Sequence, residues 1–305
     1  MDYAAIIKEI GRGTRGARPM TRDQAHGLFA AILDGKVPDL ELGAILLSLR
    51  IKGESLEELL GFKAALDERT RQLVVPEGPR CVVLPTYNGA RKQANLMPLV
   101  ALLLARKGIP VLVQGRHDFD SRVSPFKLLA ALGIDIERSL PDASASLEKH
   151  NIACLRLDLI ARGLDWLLGL RQTLGVRSCG HTMAKLLDPC RSRSVRVVAV
   201  THPPYIEAMQ AFLQLDGGTA MLMRGTEGEA YVAPRRRPRL LGFHAGQEEE
   251  LLPALDFEDG DELNTGSCEL EQNATLIQAM LAGERPVPQS IQDQVEVLTA
   301  LARRP

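Results

Sequence analysis

The chain has 305 residues, of which 45% are hydrophobic, 25% charged and 4% aromatic, with a formal net charge of -1. That suffices for one large core or two unequal ones and fits a soluble, helix-rich globular protein. No run approaches the roughly 18 apolar residues of a spanning helix, and Met1 to Lys8 lack the basic and apolar regions of a signal peptide, so the expected compartment is the cytoplasm, with no membrane partner.

In chain order, the first seventy residues read as helices. Thr21 and Gln24 form a capping-box signal ahead of Ala25, Leu28, Phe29 and Ile32 at helical spacing. Asp39 precedes a second apolar stripe (Leu40, Leu42, Ile45, Leu46, Leu49), and Ser55 with Glu58 opens a third helix carrying Leu59, Phe62 and Leu66. The pattern changes after the Pro76–Pro79 linker. Cys81 to Leu84 reads as a buried strand, Leu96 to Arg106 as a helix stopped by Gly108, and Pro110 to Val113 as the next strand. This spacing predicts a right-handed strand–helix–strand unit in a parallel sheet. Phe126 to Gly133 reads as helix and Ile152 to Leu155 as strand. Residues about 159–188 return to helix and hold the only tryptophan, Trp166, expected in the core. Val195 to Val200 and Ala220 to Met223 read as strands flanking a helix over Pro204 to Leu215, and the tail from Asn273 is helical. The predicted class is α/β. A small all-helical domain (1–72, completed by helices from about 159–188) accompanies a larger domain (78–158 and 193–305) with a mainly parallel central sheet.

The five cysteines are scattered, odd in number and without a C-x-x-C pair, so neither a disulfide framework nor a zinc site is expected. The near-neutral total conceals local charge. An acidic segment, 247–262, offsets basic clusters at Lys8 to Arg22, Arg91-Lys92, Arg191/Arg193/Arg196 and Arg235-Arg236-Arg237 with Arg239.

Ligands of open α/β sheets bind beyond the carboxyl ends of the strands. Three loops leave such ends: Pro85 to Asn95, Gln114 to Arg122, and Arg224 to Ala230. Arg91-Lys92 stands just before the predicted helix, where cations oppose the helix dipole by about 0.3–1 kcal/mol. A bound polyanion would offset that.

The helical segment Thr21 to Leu66, with Leu49-Arg50-Ile51-Lys52-Gly53-Glu54, resembles the helical domain of the anthranilate phosphoribosyltransferases and the related nucleoside phosphorylases, and the order of the three loops agrees over nearly the whole chain. In that family a Gly-Thr-Gly-Gly-Asp loop and an Asn-Ile-Ser-Thr helix start cradle diphosphate. Here the same places hold Pro85-Thr86-Tyr87-Asn88-Gly89 and Asn95-Leu96-Met97-Pro98. Glycines let backbone approach phosphate closely, and Pro85, Tyr87 and Asn88 obstruct it. The family's Lys-His-Gly-Asn-Arg becomes Val113-Gln114-Gly115-Arg116-His117, and its magnesium-binding Asp-Glu pair becomes Ala230-Tyr231, with Glu227 and Glu229 as nearby substitutes. Arg177 survives from the family's Gly-Ile-Arg-Thr motif as Gly175-Val176-Arg177-Ser178, and His181 takes the place of an asparagine; the latter is equally compatible with helix packing. Tyr87-Asn88-Gly89-Ala90-Arg91-Lys92-Gln93-Ala94-Asn95-Leu96, Gly180 to Leu186 and Arg224 to Glu229 resemble the YbiB-type, non-enzymatic branch of the family.

That resemblance implies a homodimer, paired through the helical domain, binding DNA or RNA with little sequence preference along a basic groove, with no catalytic residue, metal or cofactor. The groove residues it implies are Tyr87, Asn88, Arg91, Lys92, Gln93, Asn95, Arg116, Arg122, Arg177, His181, Lys185, Arg235, Arg236 and Arg237, several of which are expected to converge on one cleft mouth. Cations would supply affinity, amides would fix register, and Tyr87 is the candidate for base stacking. The alternatives are a phosphoribosyltransferase with another acceptor, or a scaffold that recruits a basic protein through the acidic segment.

Overall fold

The computed structural model describes residues 1–116, 122–257, 265–266 and 268–304. The chain divides into two compact units, one of Met1–Arg71 with Leu157–Pro189, the other of Gln72–Arg156 with Cys190–Pro305. The acidic segment expected over 247–262 falls partly outside the described residues, as do His117 to Ser121.

The first unit opens with α1 (Tyr3–Ile10), α2 (Gly13–Gly16), α3 (Arg22–Leu33), α4 (Asp39–Lys52) and α5 (Leu56–Glu68). The chain then builds β1 (Cys81–Thr86), α6 (Met97–Arg106), β2 (Val111–Gly115), α7 (Pro125–Ala131), β3 (Ile136–Glu137), α8 (Leu140–His150) and β4 (Ile152–Arg156) of the second unit. It returns to the first unit for α9 (Leu157–Ile160), α10 (Arg162–Gly169), α11 (Arg171–Leu174) and α12 (Cys179–Leu186). The second unit is completed by β5 (Ser194–Val200), α13 (Pro203–Asp216), β6 (Ala220–Arg224), β7 (Arg236–Arg237), β8 (Leu240–His244), β9 (Gln247–Leu252), β10 (Leu255–Asp256), α14 (Leu270–Ala282) and α15 (Gln289–Ala302).

The helical unit follows its local signals. Thr21 and Ser55 both close capping boxes, each with the residue three positions on, Gln24 and Glu58. Phe29 and Phe62 stack with ring centroids 4.7 Å apart at the centre of the α3–α5 contact. The predicted helical stretch over 159–188 is four short helices, with Gly175 ending α11 in the left-handed region. Trp166 is not in the core but 40% exposed, because Leu164, Leu167 and Leu168 take the buried face of α10.

The second unit is an eight-stranded sheet in the order β3-β4-β2-β1-β5-β6-β8-β9. Every pair from β3 to β6 is parallel; β8 and β9 extend the sheet antiparallel. The central strands are buried along their whole length, as parallel strands covered on both faces must be. α6, α14 and α15 supply Leu104, Ile277 and Leu298 to the core beside Val82, Val113 and Val197. Register aligns Thr86 with Gly115 and Val200 with Arg224, so the loops after β1, β2, β5 and β6 leave the same edge of the sheet. Gly115 is required there: a Cβ on it would sit 1.8 Å from the Thr86 carbonyl oxygen.

Candidate nucleic-acid interface

The β1–α6 loop turns outward after Thr86 and is held from below by a glutamate. Glu229 is fully buried and accepts hydrogen bonds from the Thr86 hydroxyl (2.7 Å) and from the backbone N–H groups of Asn88 (3.1 Å) and Gly89 (3.0 Å). Burial raises its pKa above the ordinary carboxylate value, and the hydrogen bonds from Thr86, Gly89 and Asn88 oppose that shift. Gly89 adopts φ +63°, and a Cβ there would lie 2.9 Å from the Val123 carbonyl oxygen. That close approach lets Ala90 and Val123 exchange backbone hydrogen bonds of 3.0 and 2.8 Å, pinning the loop to the segment before α7.

The loop after β6 supplies a second glutamate. Glu227 and Gly228 both have positive φ, 52° and 87°, and the Glu229 N–H closes the turn onto the Thr226 carbonyl at 2.9 Å. The Asn88 side-chain amide donates to the Glu227 carbonyl and fixes the turn against the first loop. The Glu227 carboxylate then receives the backbone N–H groups of Arg91 (3.3 and 3.4 Å to its two oxygens) and Lys92 (3.0 Å). The loop N–H groups of Asn88, Gly89, Arg91 and Lys92 are thus all turned onto carboxylates of this chain.

The residues implied by the family resemblance divide sharply in this setting. Arg91 and Lys92 are exposed. They lie in the irregular loop several residues before α6 begins at Met97, so the expected opposition to a helix dipole does not arise; Glu227 compensates their backbone instead. Arg116 and Arg122 are half-buried, and the Arg122 guanidinium donates to the Gly89 carbonyl at 3.3 Å. Asn88 and Asn95 are interior. Asn95 exchanges hydrogen bonds with Asn273, and its side-chain oxygen accepts the N–H of Met97, the first residue of α6. Tyr87 is half-buried and donates its hydroxyl to Gln114 at 2.9 Å, an anchored position rather than an open stacking platform. Gln93 is half-buried and bonds the Tyr231 hydroxyl.

The expected basic run at 235–237 is stitched to the acidic segment. β7 pairs antiparallel with β10, Arg236 with Asp256, and their side chains form an exposed ion pair at 3.1 Å. Arg237 is buried, pairs with Asp293 and donates to the Pro253 carbonyl at 3.1 Å. Only Arg235 and Arg236 of the run reach the surface. The acidic residues are engaged as well: Glu248 receives Gln210 and Gln214, Glu249 pairs with Arg304, and Glu250 with Arg239 at 3.3 Å.

In the helical unit, Arg177 and Lys185 are half-buried, and Arg50 donates to the Arg177 carbonyl at 2.9 Å. His181 closes a capping box at the start of α12, its Nδ1 accepting the Ser178 N–H at 3.3 Å. Burial, with Arg177 and Arg171 alongside, pushes its pKa down to about 3, so at neutral pH it is a neutral acceptor and not a cation.

The places of a magnesium-binding acidic pair are fully buried. Ala230 offers no ligand, and Tyr231 donates its hydroxyl to the Ala94 carbonyl at 3.1 Å, with burial pushing its pKa far up. Among the described residues no three His, Cys, Asp or Glu side chains are grouped to hold a metal ion. Those two places therefore supply no carboxylate to a metal-bridged diphosphate. The glutamate seats were not anticipated from sequence; their one local signal is the Gly-Thr-Glu-Gly-Glu run that follows β6.

Comparison with known proteins agrees with this architecture. Residues 4–70 match the model of the glycosyl transferase family, helical bundle domain. The chain is 41% identical over 299 residues to YbiB of Escherichia coli, covering 97% of this chain and 92% of that one. It is 28% identical over 300 residues to the anthranilate phosphoribosyltransferase of Methanothermobacter marburgensis, covering 94% and 84%. The crystal structure of the Thermus thermophilus anthranilate phosphoribosyltransferase superposes with a TM-score of 0.77 at 23% identity, covering 99% of this chain and 88% of that one, which shows the shared fold. This chain belongs to the family of Escherichia coli YbiB, among the homologues of anthranilate phosphoribosyltransferase.

Proposed function

We propose that this protein binds nucleic acid without sequence preference, as a homodimer, and does not transfer phosphoribosyl groups. The observation that carries the reading is the fate of the β1–α6 loop. Its backbone N–H donors, which a diphosphate would need, are taken by Glu227 and Glu229, while the side chains of Arg91 and Lys92 stand exposed. A loop closed to a small anion but presenting cations suits a phosphodiester backbone, held by charge and not by base recognition. Arg116, Arg122 and Arg235 extend the cationic surface of the same unit. With 4% aromatic residues and Tyr87 anchored on Gln114, phosphate contacts dominate over stacking.

The dimer reading rests on α4. Its buried face is Leu42, Ile45, Leu46 and Leu49, yet Leu40, Leu47 and Ile51 are 84%, 49% and 54% exposed. An unpartnered apolar stripe on a helix suits a second copy of the same helical unit.

Similarity to anthranilate phosphoribosyltransferase favours a second reading, a transferase with another acceptor. One experiment separates the two. Single-stranded DNA, double-stranded DNA and RNA are titrated at several salt concentrations, alongside phosphoribosyl diphosphate with magnesium. The proposal expects polynucleotide affinity that falls steeply with salt. It also expects Arg91→Glu with Lys92→Glu to weaken every sequence alike, by at least about tenfold, and to lower the salt slope by about 1–2. Magnesium-dependent binding of phosphoribosyl diphosphate without polynucleotide binding reverses the ranking.

A further inference from the structure

We propose that Glu227 is the resident anion of the Arg91–Lys92 turn, and that a phosphate of the bound polynucleotide takes its place. This inference rests on the nucleic-acid reading and adds a competitor built into the same site.

The two glutamates beneath the loop are not equivalent. Glu229 is fully buried and makes three hydrogen bonds of 2.7–3.1 Å, so it is part of the framework. Glu227 is half-buried, and its bonds to the Arg91 N–H are long, 3.3 and 3.4 Å, beside one of 3.0 Å to Lys92. Its backbone is anchored independently, by the positive-φ turn and by the Asn88 amide. The carboxylate can therefore swing off without unfolding the turn. What it would leave is a pair of N–H groups converging on one anion position, flanked by the exposed Arg91 and Lys92 side chains. Consecutive N–H groups of this kind bind phosphate oxygens as readily as carboxylates.

The consequence is selectivity for polyanions. Tethered to the turn, Glu227 competes at high effective concentration, as any intramolecular ligand does. An isolated phosphate has only this seat to gain. A polynucleotide also engages neighbouring cations, and can meet the cost of displacing the carboxylate.

The test uses the full chain and a fluorescently labelled oligothymidylate, with wild-type protein, Glu227→Gln, Glu227→Asp and Glu250→Gln compared at one salt concentration. Glu227→Gln removes the competing charge and is expected to tighten binding about tenfold. Glu227→Asp keeps the charge but is one methylene too short for the seat, and is expected to recover most of that gain. Glu250→Gln, an acidic change on β9 outside the turn, is expected to leave affinity within about twofold. Inorganic phosphate should compete with the oligonucleotide more effectively on Glu227→Gln than on wild type. If wild type binds the oligonucleotide and Glu227→Gln binds it no more tightly, the competitor idea is overturned while the nucleic-acid reading stands. If Glu227→Asp behaves like wild type while Glu227→Gln tightens, the effect is long-range charge alone and the seat is rejected. If neither wild type nor any variant binds polynucleotide, the underlying reading has failed first.

Discussion

The Gly89–Lys92 turn and the β7 segment at Arg236–Arg237 each carry adjacent cations in the sequence, and the fold treats them in opposite ways. In the turn, carboxylates neutralise the backbone: Glu229 and Glu227 take the N–H groups, and the side chains of Arg91 and Lys92 remain at the surface. In β7, carboxylates neutralise the side chains: Asp256 pairs Arg236, and Asp293 pairs Arg237 in the interior. A basic run thus keeps its side chains at the surface, without carboxylate partners among the described residues, only where the nearby carboxylates address the main chain. The positions of those carboxylates decide whether it does.

The largest test of that contrast is at Glu229. Glu229→Ala strands two backbone N–H groups and the Thr86 hydroxyl in a buried site, at about 1–3 kcal/mol for each unsatisfied group less whatever water recovers. We expect a loss of about 3–5 kcal/mol in urea denaturation. Glu229→Gln should stay within about 1 kcal/mol of wild type, since its carbonyl accepts from Asn88 and Gly89 and its amide donates to Thr86, and no buried charge is required. Equal losses for the two variants would show that the charge, and not the hydrogen-bond geometry, holds the loop.

Arg237→Ala comes next. It leaves Asp293 without its buried partner and should cost about 3 kcal/mol. Under conditions where the variant is folded, the salt slope of polynucleotide binding should match wild type, because Arg237 does not reach solvent. A reduced slope in a protein of undiminished stability would erase the distinction between the two cationic regions.

What the sequence discloses follows the range of the interaction. The capping boxes at Thr21 and Ser55 are local, and both read correctly. The parallel strands are continuous apolar runs between glycines and prolines, and the helix over 97–106 has a single apolar character, so β1, α6 and β2 are visible too. β7, β9 and β10 are not. Residues 247–252 are Gln-Glu-Glu-Glu-Leu-Leu, whose charges are satisfied by Gln210, Gln214, Arg239 and Arg304 from elsewhere in the fold. The same distance hides the site's framework. Arg91 and Lys92 announce themselves, whereas nothing local to Asn88 points to a carboxylate 141 residues away. Asn88, Asn95 and Arg237 look like surface donors by residue type and are interior because their partners arrive from distant segments.

His181 extends the comparison to the helical unit, with the smallest expected effect. It sits among Arg177, Arg171 and Lys185, so counting residues would make it one more cation, yet its Nδ1 accepts the Ser178 N–H and must be unprotonated to do so. The native imidazole titrates at about pH 3, against about 6.5 for an exposed one. Between those values the unfolded chain binds a proton that the native chain refuses, so stability is full above about pH 6.5 and declines as pH falls through the window. Glutamine at this position keeps an acceptor for Ser178 and cannot be protonated. Urea midpoints at about pH 7.5 and about pH 4.5 should therefore differ more for wild type than for His181→Gln, the carboxylates contributing equally to both. An equal drop would mean that the imidazole accepts its proton with the cap intact, and His181 would then add a positive charge beside Arg177 and Lys185.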